Sequence, residues 1–293
     1  MRLSRAWRTD RLTGAHLVAA LGMAALGVLA TFEAWKDIYT IAKNDEEYSH
    51  IFLVPIVAIW MVWVRRMRFR HCKPSATILG PLIVAVGWYA SWYGFRHGVQ
   101  ALWHGGAVMV VLGCMISILG KNVIFRFFPA IAVMIFLVPA PGRLRQEISL
   151  PLQSWTARAA QTCLETVGID TEVLGNQLFI NGNPVTVAEA CNGMRMVFPL
   201  ILIAYAFSFG LPLRNSVRFL VLLASPLTAL ACNVIRILPL IWLYGNKDPI
   251  ADTFHKWSGW MMLPIAFFSL MAIIRLLRWA MLPVTRYHLA SQL

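Results

Sequence analysis

Apolar residues run through this chain in long blocks separated by short clusters of arginine and lysine. A helix crossing the hydrocarbon core of a bilayer needs about 20 mainly apolar residues. Eight segments approach that length: 14–34, 48–64, 76–94, 101–119, 123–140, 194–213, 216–236 and 257–277. The second stops short at Arg65, and an ambiguous apolar stretch, 237–244, precedes the eighth. Apolar blocks recur to the end of the chain, unlike a signal peptide followed by polar sequence. The expected fold class is an all-α polytopic membrane protein of about eight transmembrane helices, forming a single membrane domain over 1–293.

Two connectors are longer than a turn requires. One, from Lys36 to about Glu47, ends in the acidic cluster Asp45-Glu46-Glu47. The other, 141–192, has room for a small subdomain outside the membrane. In it Leu144, Ile148, Leu152, Trp155, Ala159 and Cys163 recur three or four apart, with Arg145, Gln146, Gln153 and Arg158 elsewhere. That spacing predicts an amphipathic helix from Arg143 to Val167 lying along the membrane surface, kinked or divided by Pro151. Next, Leu178-Phe179-Ile180 and Val185-Thr186-Val187 flank Asn181-Gly182-Asn183-Pro184, which predicts a short β-hairpin because Asn-Gly tolerates positive φ. A lone hairpin is marginal in water, so it is expected to rest on helices or on the interface. It leads directly into Ala190-Cys191-Asn192-Gly193.

Composition agrees with this reading. Hydrophobic residues make up 59% of 293 positions and charged residues 13%, with mean hydropathy +0.65. A soluble domain usually carries about 25% charged residues. The net charge of +13 invites a nucleic-acid partner, but sorting the charges between spans removes the invitation. With the N-terminus inside, the inner segments hold 16 of the 26 basic residues and one acid, Asp10; the outer segments hold the other 10 and 12 of the 13 acids. The split, about +15 inside and −2 outside, follows the positive-inside rule with both termini (1–13 and 279–293) cytoplasmic. No nucleic acid is expected.

Candidate chemistry lies where the pattern is broken. None of the five cysteines (72, 114, 163, 191, 232) forms a CxxC or zinc-type spacing, so neither metal nor cofactor is expected. Cysteines in apolar segments are mostly small buried residues. Cys191 differs, because it sits at the start of a membrane helix, where free amides and the helix dipole favour a thiolate; Arg195, one turn on, adds to this if it points the same way. Arg236 interrupts an apolar run from Val217 to Tyr244. A charge at mid-bilayer costs at least about 2.5 kcal/mol, so it usually has a partner or a task. Counted from Ser216, Arg236 is the 21st residue, about 31 Å along a helix, which puts it at the outer boundary, where the competing reading is a snorkelling side chain. His255 precedes the last span on the same side. His50, His97 and His104 are also on that side and compete for the role of base. In an oxidising compartment Cys191 is able to pair with Cys163 or Cys232.

Three motifs in order resemble those of the exosortase/archaeosortase family of membrane-embedded cysteine transpeptidases: Ala190-Cys191-Asn192-Gly193-Met194-Arg195, Asn233-Val234-Ile235-Arg236, and His255 before the last helix. Tyr48-Ser49-His50 running into Pro55, and Val138-Pro139-Ala140-Pro141, also look familiar, and the likeness covers roughly 45–275. Asn192 stands where serine is commoner. The resemblance implies Cys191 as nucleophile, His255 as general base and acid, and Arg236 as stabiliser of oxyanion or thiolate. Asn192, Arg195, Asn233 and His50 would support or bind substrate. It implies a bacterial inner-membrane enzyme with its site on the outer face. Its substrates would be exported proteins carrying a Pro-Glu-Pro-like motif, a hydrophobic helix and a basic tail, cut and passed to an acceptor nucleophile. The rival readings are a protease without transfer, a non-catalytic transporter or scaffold for envelope polysaccharide export, and a haem or quinone protein.

Overall fold

The computed structural model describes residues 12–75, 77–180, 183–186 and 194–279, in two compact units that divide between Pro141 and Gly142.

In the first unit, helix α1 (Gly14–Ala30) ends at Thr31, where the chain turns by 83° into α2 (Phe32–Asn44). Thr31 stabilises the elbow: its hydroxyl donates to the Gly27 carbonyl at 2.8 Å and accepts from Trp35 Nε1 at 3.1 Å. The expected first span, 14–34, therefore stops early, and α2 buries Ala34, Ile38 and Ala42 along one narrow stripe. A 3-10 helix, Glu46–Phe52, runs into α3 (Leu53–Val64), and the two form one apolar stretch of 19 residues. Helices α4 (Leu79–His97) and α5 (Gln100–Leu119) pack backbone to backbone. Gly80, Gly87 and Gly94 recur every seventh residue on α4; the first two face Gly113 and Gly106 of α5 and the third faces Leu102 and Trp103, and a Cβ at Gly87 would stand 2.9 Å from the Gly106 carbonyl oxygen. Such small-residue seams let helices approach closely where no hydrophobic effect drives association. The expected span 123–140 is instead α6 (Lys121–Ala132), with a non-helical Phe127 and an internal Pro129, followed by a 3-10 turn, Val133–Leu137. Proline removes a backbone donor and crowds the preceding turn, which bends the segment.

In the second unit, α7 (Gly142–Thr166) runs as one helix through the exposed Pro151, rather than dividing there. Three strands follow where a two-stranded hairpin was expected: β1 (Thr171–Leu174), β2 (Gln177–Ile180) and β3 (Asn183–Thr186), an antiparallel meander. The extra strand exists because Gly175, at φ 67°, opens a two-residue turn with Asn176, the glycine-first pattern of a type II′ hairpin. Pro184 is tolerated because β3 is an edge strand. Helix α8 (Met194–Gly210) and helix α9 (Asn215–Gly245) form an antiparallel pair, and α9 absorbs the ambiguous 237–244 stretch into one helix of 31 residues. Helix α10 (Ala251–Trp279) bends by 49° between Gly259 and Pro264.

Among the described residues, three helices are long and apolar enough to cross a membrane, or up to five if each bent pair is one span. The protein is a helical membrane protein, and the eight expected spans are not resolved as eight such helices.

The face that α7 buries is mixed in character. Ser149, Gln153, Thr156, Ala157, Ala160 and Leu164 are buried, while Ile148, Leu150 and Trp155 are exposed by 45–64%. The buried face thus mixes small apolar residues with uncharged polar ones, while Gln146, Arg158 and the large apolar Ile148, Leu150 and Trp155 face outward, where lipid or its interface covers the apolar ones.

Candidate active site

Two apolar clusters lie along α9. The nearer to its start joins Met196, Leu200 and Ala204 of α8 with Ala229 and Cys232 of α9 and with Ala266 and Leu270 of α10. The other joins Ala157, Ala160 and Leu164 of α7, Leu178 and Ile180 of β2, and Ile237, Leu240 and Ile241 of α9, with Phe254 of α10 against it. Between them on α9 come Asn233 and Arg236, at 0% and 3% exposure. A guanidinium so buried is not snorkelling to the interface. It forms, with Asn233, a polar layer between two hydrophobic cores, where charge and hydrogen bonding act at reduced dielectric.

The sheet fixes what else comes to this level. At one end, Gln161 Nε2 donates to the Thr171 carbonyl (3.1 Å), Thr171 pairs with Ile180 and Ile180 with Asn183, and Asn183 Nδ2 donates to the Gly245 carbonyl at 2.9 Å. At the other end, Asn176 Nδ2 donates to Gln153 Oε1 (2.9 Å), and Leu174, Gln177 and Thr186 pair in register. Gln153 Nε2 in turn donates to the Ser149 hydroxyl at 3.0 Å. From the first end to the second is about 12 Å along α7, eight residues at 1.5 Å each. The same distance back along α9 from Gly245 reaches Ile237 and Arg236. β3 therefore ends, and the polar face of α7 lies, close to the level of Arg236. Gln153, placed by the sequence off the apolar stripe, is buried between Ser149 and Asn176; only the packing of α7 against the sheet reveals it.

The α8–α9 pair gives a second bearing. Counting in opposite directions from the Gly210-to-Asn215 connection, Met194 at the start of α8 falls level with Ala231, within one turn of Asn233. Met196 and Cys232 share a cluster, in agreement. Cys191 and Asn192 lie outside the described residues, as does the side chain of Arg195.

His255 is half-buried on α10, one turn past Asp252, whose carboxylate accepts from Tyr244 Oη of α9 at 2.7 Å. Lower down the same helix pair, Cys232 Sγ lies 3.8 Å from the Ser269 hydroxyl. Arg236 and His255 both fall within the stretch these two contacts bracket, Arg236 about two turns before Tyr244. Cys163 and Cys232 are free thiols.

The remaining sequence candidates belong to the first unit. His50 sits in the Glu46–Phe52 turn, 6% exposed, with Nδ1 3.0 Å from the Glu47 carbonyl, while neighbouring Tyr48 donates to the Ala140 carbonyl at 3.0 Å. His104 is fully buried, and its Nε2 lies 2.9 Å from Asp37 Oδ2. His97 packs its ring on Tyr93, with centroids 4.2 Å apart. Each has a local structural task.

No curated protein and no solved structure matches the chain. The family model described as transmembrane exosortase matches residues 35–272, which include the Cys191 motif, Asn233, Arg236 and His255. The chain belongs to the transmembrane exosortase family.

Proposed function

We propose that this protein is a cysteine transpeptidase that cuts C-terminal sorting signals of exported proteins, working at the outer face of a bacterial inner membrane with both of its own termini cytoplasmic. What supports the reading is a count of helix rise, which brings the end of β3 to about the level of Arg236 and the start of α8 to within one turn of Asn233. Covalent connectivity keeps Cys191 within three residues of Met194, at most about 11 Å of extended chain.

In the proposed reaction the Cys191 thiolate attacks the scissile carbonyl carbon and forms a C–S bond, while His255 holds the thiol proton. Arg236 stabilises the oxyanion of the tetrahedral intermediate, from a buried position where that stabilisation exceeds its value in water. The C–N bond then breaks, His255 returns the proton to the leaving amine, and a thioester remains. An amine or hydroxyl acceptor attacks the thioester and regenerates the thiol; water in its place gives hydrolysis. Asn192, Arg195 and Asn233 would hold the substrate backbone and the cysteine loop. A substrate helix with a basic tail inside presents its short polar motif toward the outer side of the membrane.

The test is processing of a sorting-signal substrate in cells by Cys191→Ala and Cys191→Ser. Both are expected to insert normally and to leave the precursor uncut. Hydroxylamine should release cleaved substrate from a wild-type thioester. Wild-type processing by either variant would remove Cys191 from the mechanism and favour a transporter or scaffold.

A further inference from the structure

The first unit carries a cavity of about 450 Å³ at the α1–α2 elbow, lined by Glu33, Trp88, Ser91, Trp92, Phe95 and Trp103 among others. Its aromatic residues come from the last turns of α4 and the first of α5. Around them Trp88, Tyr89, Trp92, Tyr93 and Phe95 are 38–67% exposed, forming a continuous aromatic band at one end of this helix pair. Such bands mark the headgroup level of a bilayer, where amphipathic rings prefer to sit. A cavity in the band therefore opens among lipid headgroups.

Two polar groups of the lining, Glu33 and Ser91, and Arg96 beside it have no hydrogen-bond or ion-pair partner among the described residues. Glu33, in the first turn of α2, is exposed and makes no hydrogen bond or ion pair with another described residue. Ser91 is 7% exposed and likewise makes no hydrogen bond to a described residue. Arg96 stacks 5.8 Å above the Trp92 ring and has no carboxylate among the described residues. An acid and a buried hydroxyl thus line a box of indole faces, with a base stacked over one of its indoles.

We infer that this cavity is a binding site for the headgroup of a zwitterionic aminophospholipid. The ammonium would lie against the Glu33 carboxylate and the tryptophan faces, which attract cations through their quadrupoles. The phosphate would meet Arg96, and Ser91 would donate to a glycerol or ester oxygen. The order of charges on the lipid matches the two unpaired charges of the protein, whereas an anionic headgroup leaves Glu33 unanswered. The inference is independent of the chemistry at Cys191.

The experiment is native mass spectrometry of the full-length protein in detergent, titrated with phosphatidylethanolamine or phosphatidylglycerol of the same acyl chains. The wild type is expected to retain one phosphatidylethanolamine with roughly tenfold preference, the size expected from one cation–π contact plus one partly screened ion pair. Glu33→Gln should abolish the preference, and Arg96→Gln should weaken retention of both lipids. Equal retention of the two lipids by the wild type, which needs no variant, would overturn the site by reducing it to an unselective acyl groove. An unchanged preference in Glu33→Gln, or unchanged retention in Arg96→Gln, would overturn it as well. Both side chains are exposed, so neither replacement disturbs the packing.

Discussion

The side-chain amide of Asn183 donates to the backbone carbonyl of Gly245 at 2.9 Å, tying the first residue of an edge strand to the last residue of the longest helix. The bond is possible because Gly245 has no side chain: a Cβ there would stand 2.9 Å from Ile180 Cβ on the neighbouring strand. Through this joint the sheet takes its register from α9, and β3 then points its far end toward Arg236.

Gly245→Val should therefore push the sheet off the helix. Overpacking of this kind typically costs about 1–3 kcal/mol. We expect a lowered midpoint of thermal unfolding in detergent and a loss of processing. Asn183→Ala should do the same more mildly, by about 1 kcal/mol. An unchanged melting curve for Gly245→Val would show that the sheet does not depend on this contact.

Arg236 should not tolerate lysine. Its charge is kept by Arg236→Lys but the planar fork of donors is lost, and a buried ammonium is less easily satisfied. The expected outcome is a fall in kcat of roughly a hundredfold or more, comparable to the loss of one oxyanion donor, with KM little changed. Single-turnover acylation measures this directly. A lysine variant impaired only in KM would move Arg236 from the transition state to substrate binding.

Gln153 spans Ser149 and Asn176 inside the buried face of α7. Gln153→Leu removes both the acceptor of the Asn176 amide and the donor to the Ser149 hydroxyl, at a cost of about 1–3 kcal/mol. Processing should fall while membrane insertion remains normal, and Gln153→Glu, which keeps an acceptor for Asn176, should recover part of it. Full activity in Gln153→Leu would separate the polar face of α7 from the site.

Thiol labelling should single out one cysteine. Cys72, Cys114 and Cys232 are buried, and only Cys163 among the described cysteines is half-exposed. Burial pushes the Cys72 thiol up from its usual range, against the weaker downward pull of Arg126. A raised thiol pKa leaves less thiolate at neutral pH, so Cys72 should react slowly and gain reactivity only as the solution becomes alkaline. A membrane-impermeant maleimide at pH 7 is thus expected to label wild type and Cys163→Ser rapidly, and Cys191→Ser slowly. Equal labelling of all three would remove the activated thiol.

Packing of the first unit rests on the glycine seam. Gly87→Val places branched carbons where the Gly106 carbonyl oxygen lies 2.9 Å from a single Cβ. We expect α4 and α5 to separate and steady-state protein in the membrane to fall several-fold on immunoblots. Gly98→Ala, with open space around it but a φ of 68°, should cost only about 1 kcal/mol.

Most of the membrane character and one of the site's components were legible without coordinates. Long apolar blocks cannot be solvated, and Arg236 stood out because a charge in such a block demands a reason; burial at 3% supplies the surroundings that the reason requires. The hairpin before Cys191 was legible from Asn-Gly, but β1 was not, because Thr171–Leu174 is too short to show alternation and Gly175 reads as one more loop glycine.

Residue identity by itself determined that this chain lives in lipid, that a strand pair precedes Cys191, and that Arg236 interrupts an apolar helix, since each depends on local composition or on neighbours a few positions away. Only the tertiary structure decided which face of α7 turns inward, where α1 breaks, and that Asn233 and Arg236 lie buried between two apolar clusters along α9. Those depend on contacts between residues dozens of positions apart. A helical stripe records that one side is apolar, but in a membrane protein lipid competes with protein for that side, and periodicity carries no sign to tell them apart.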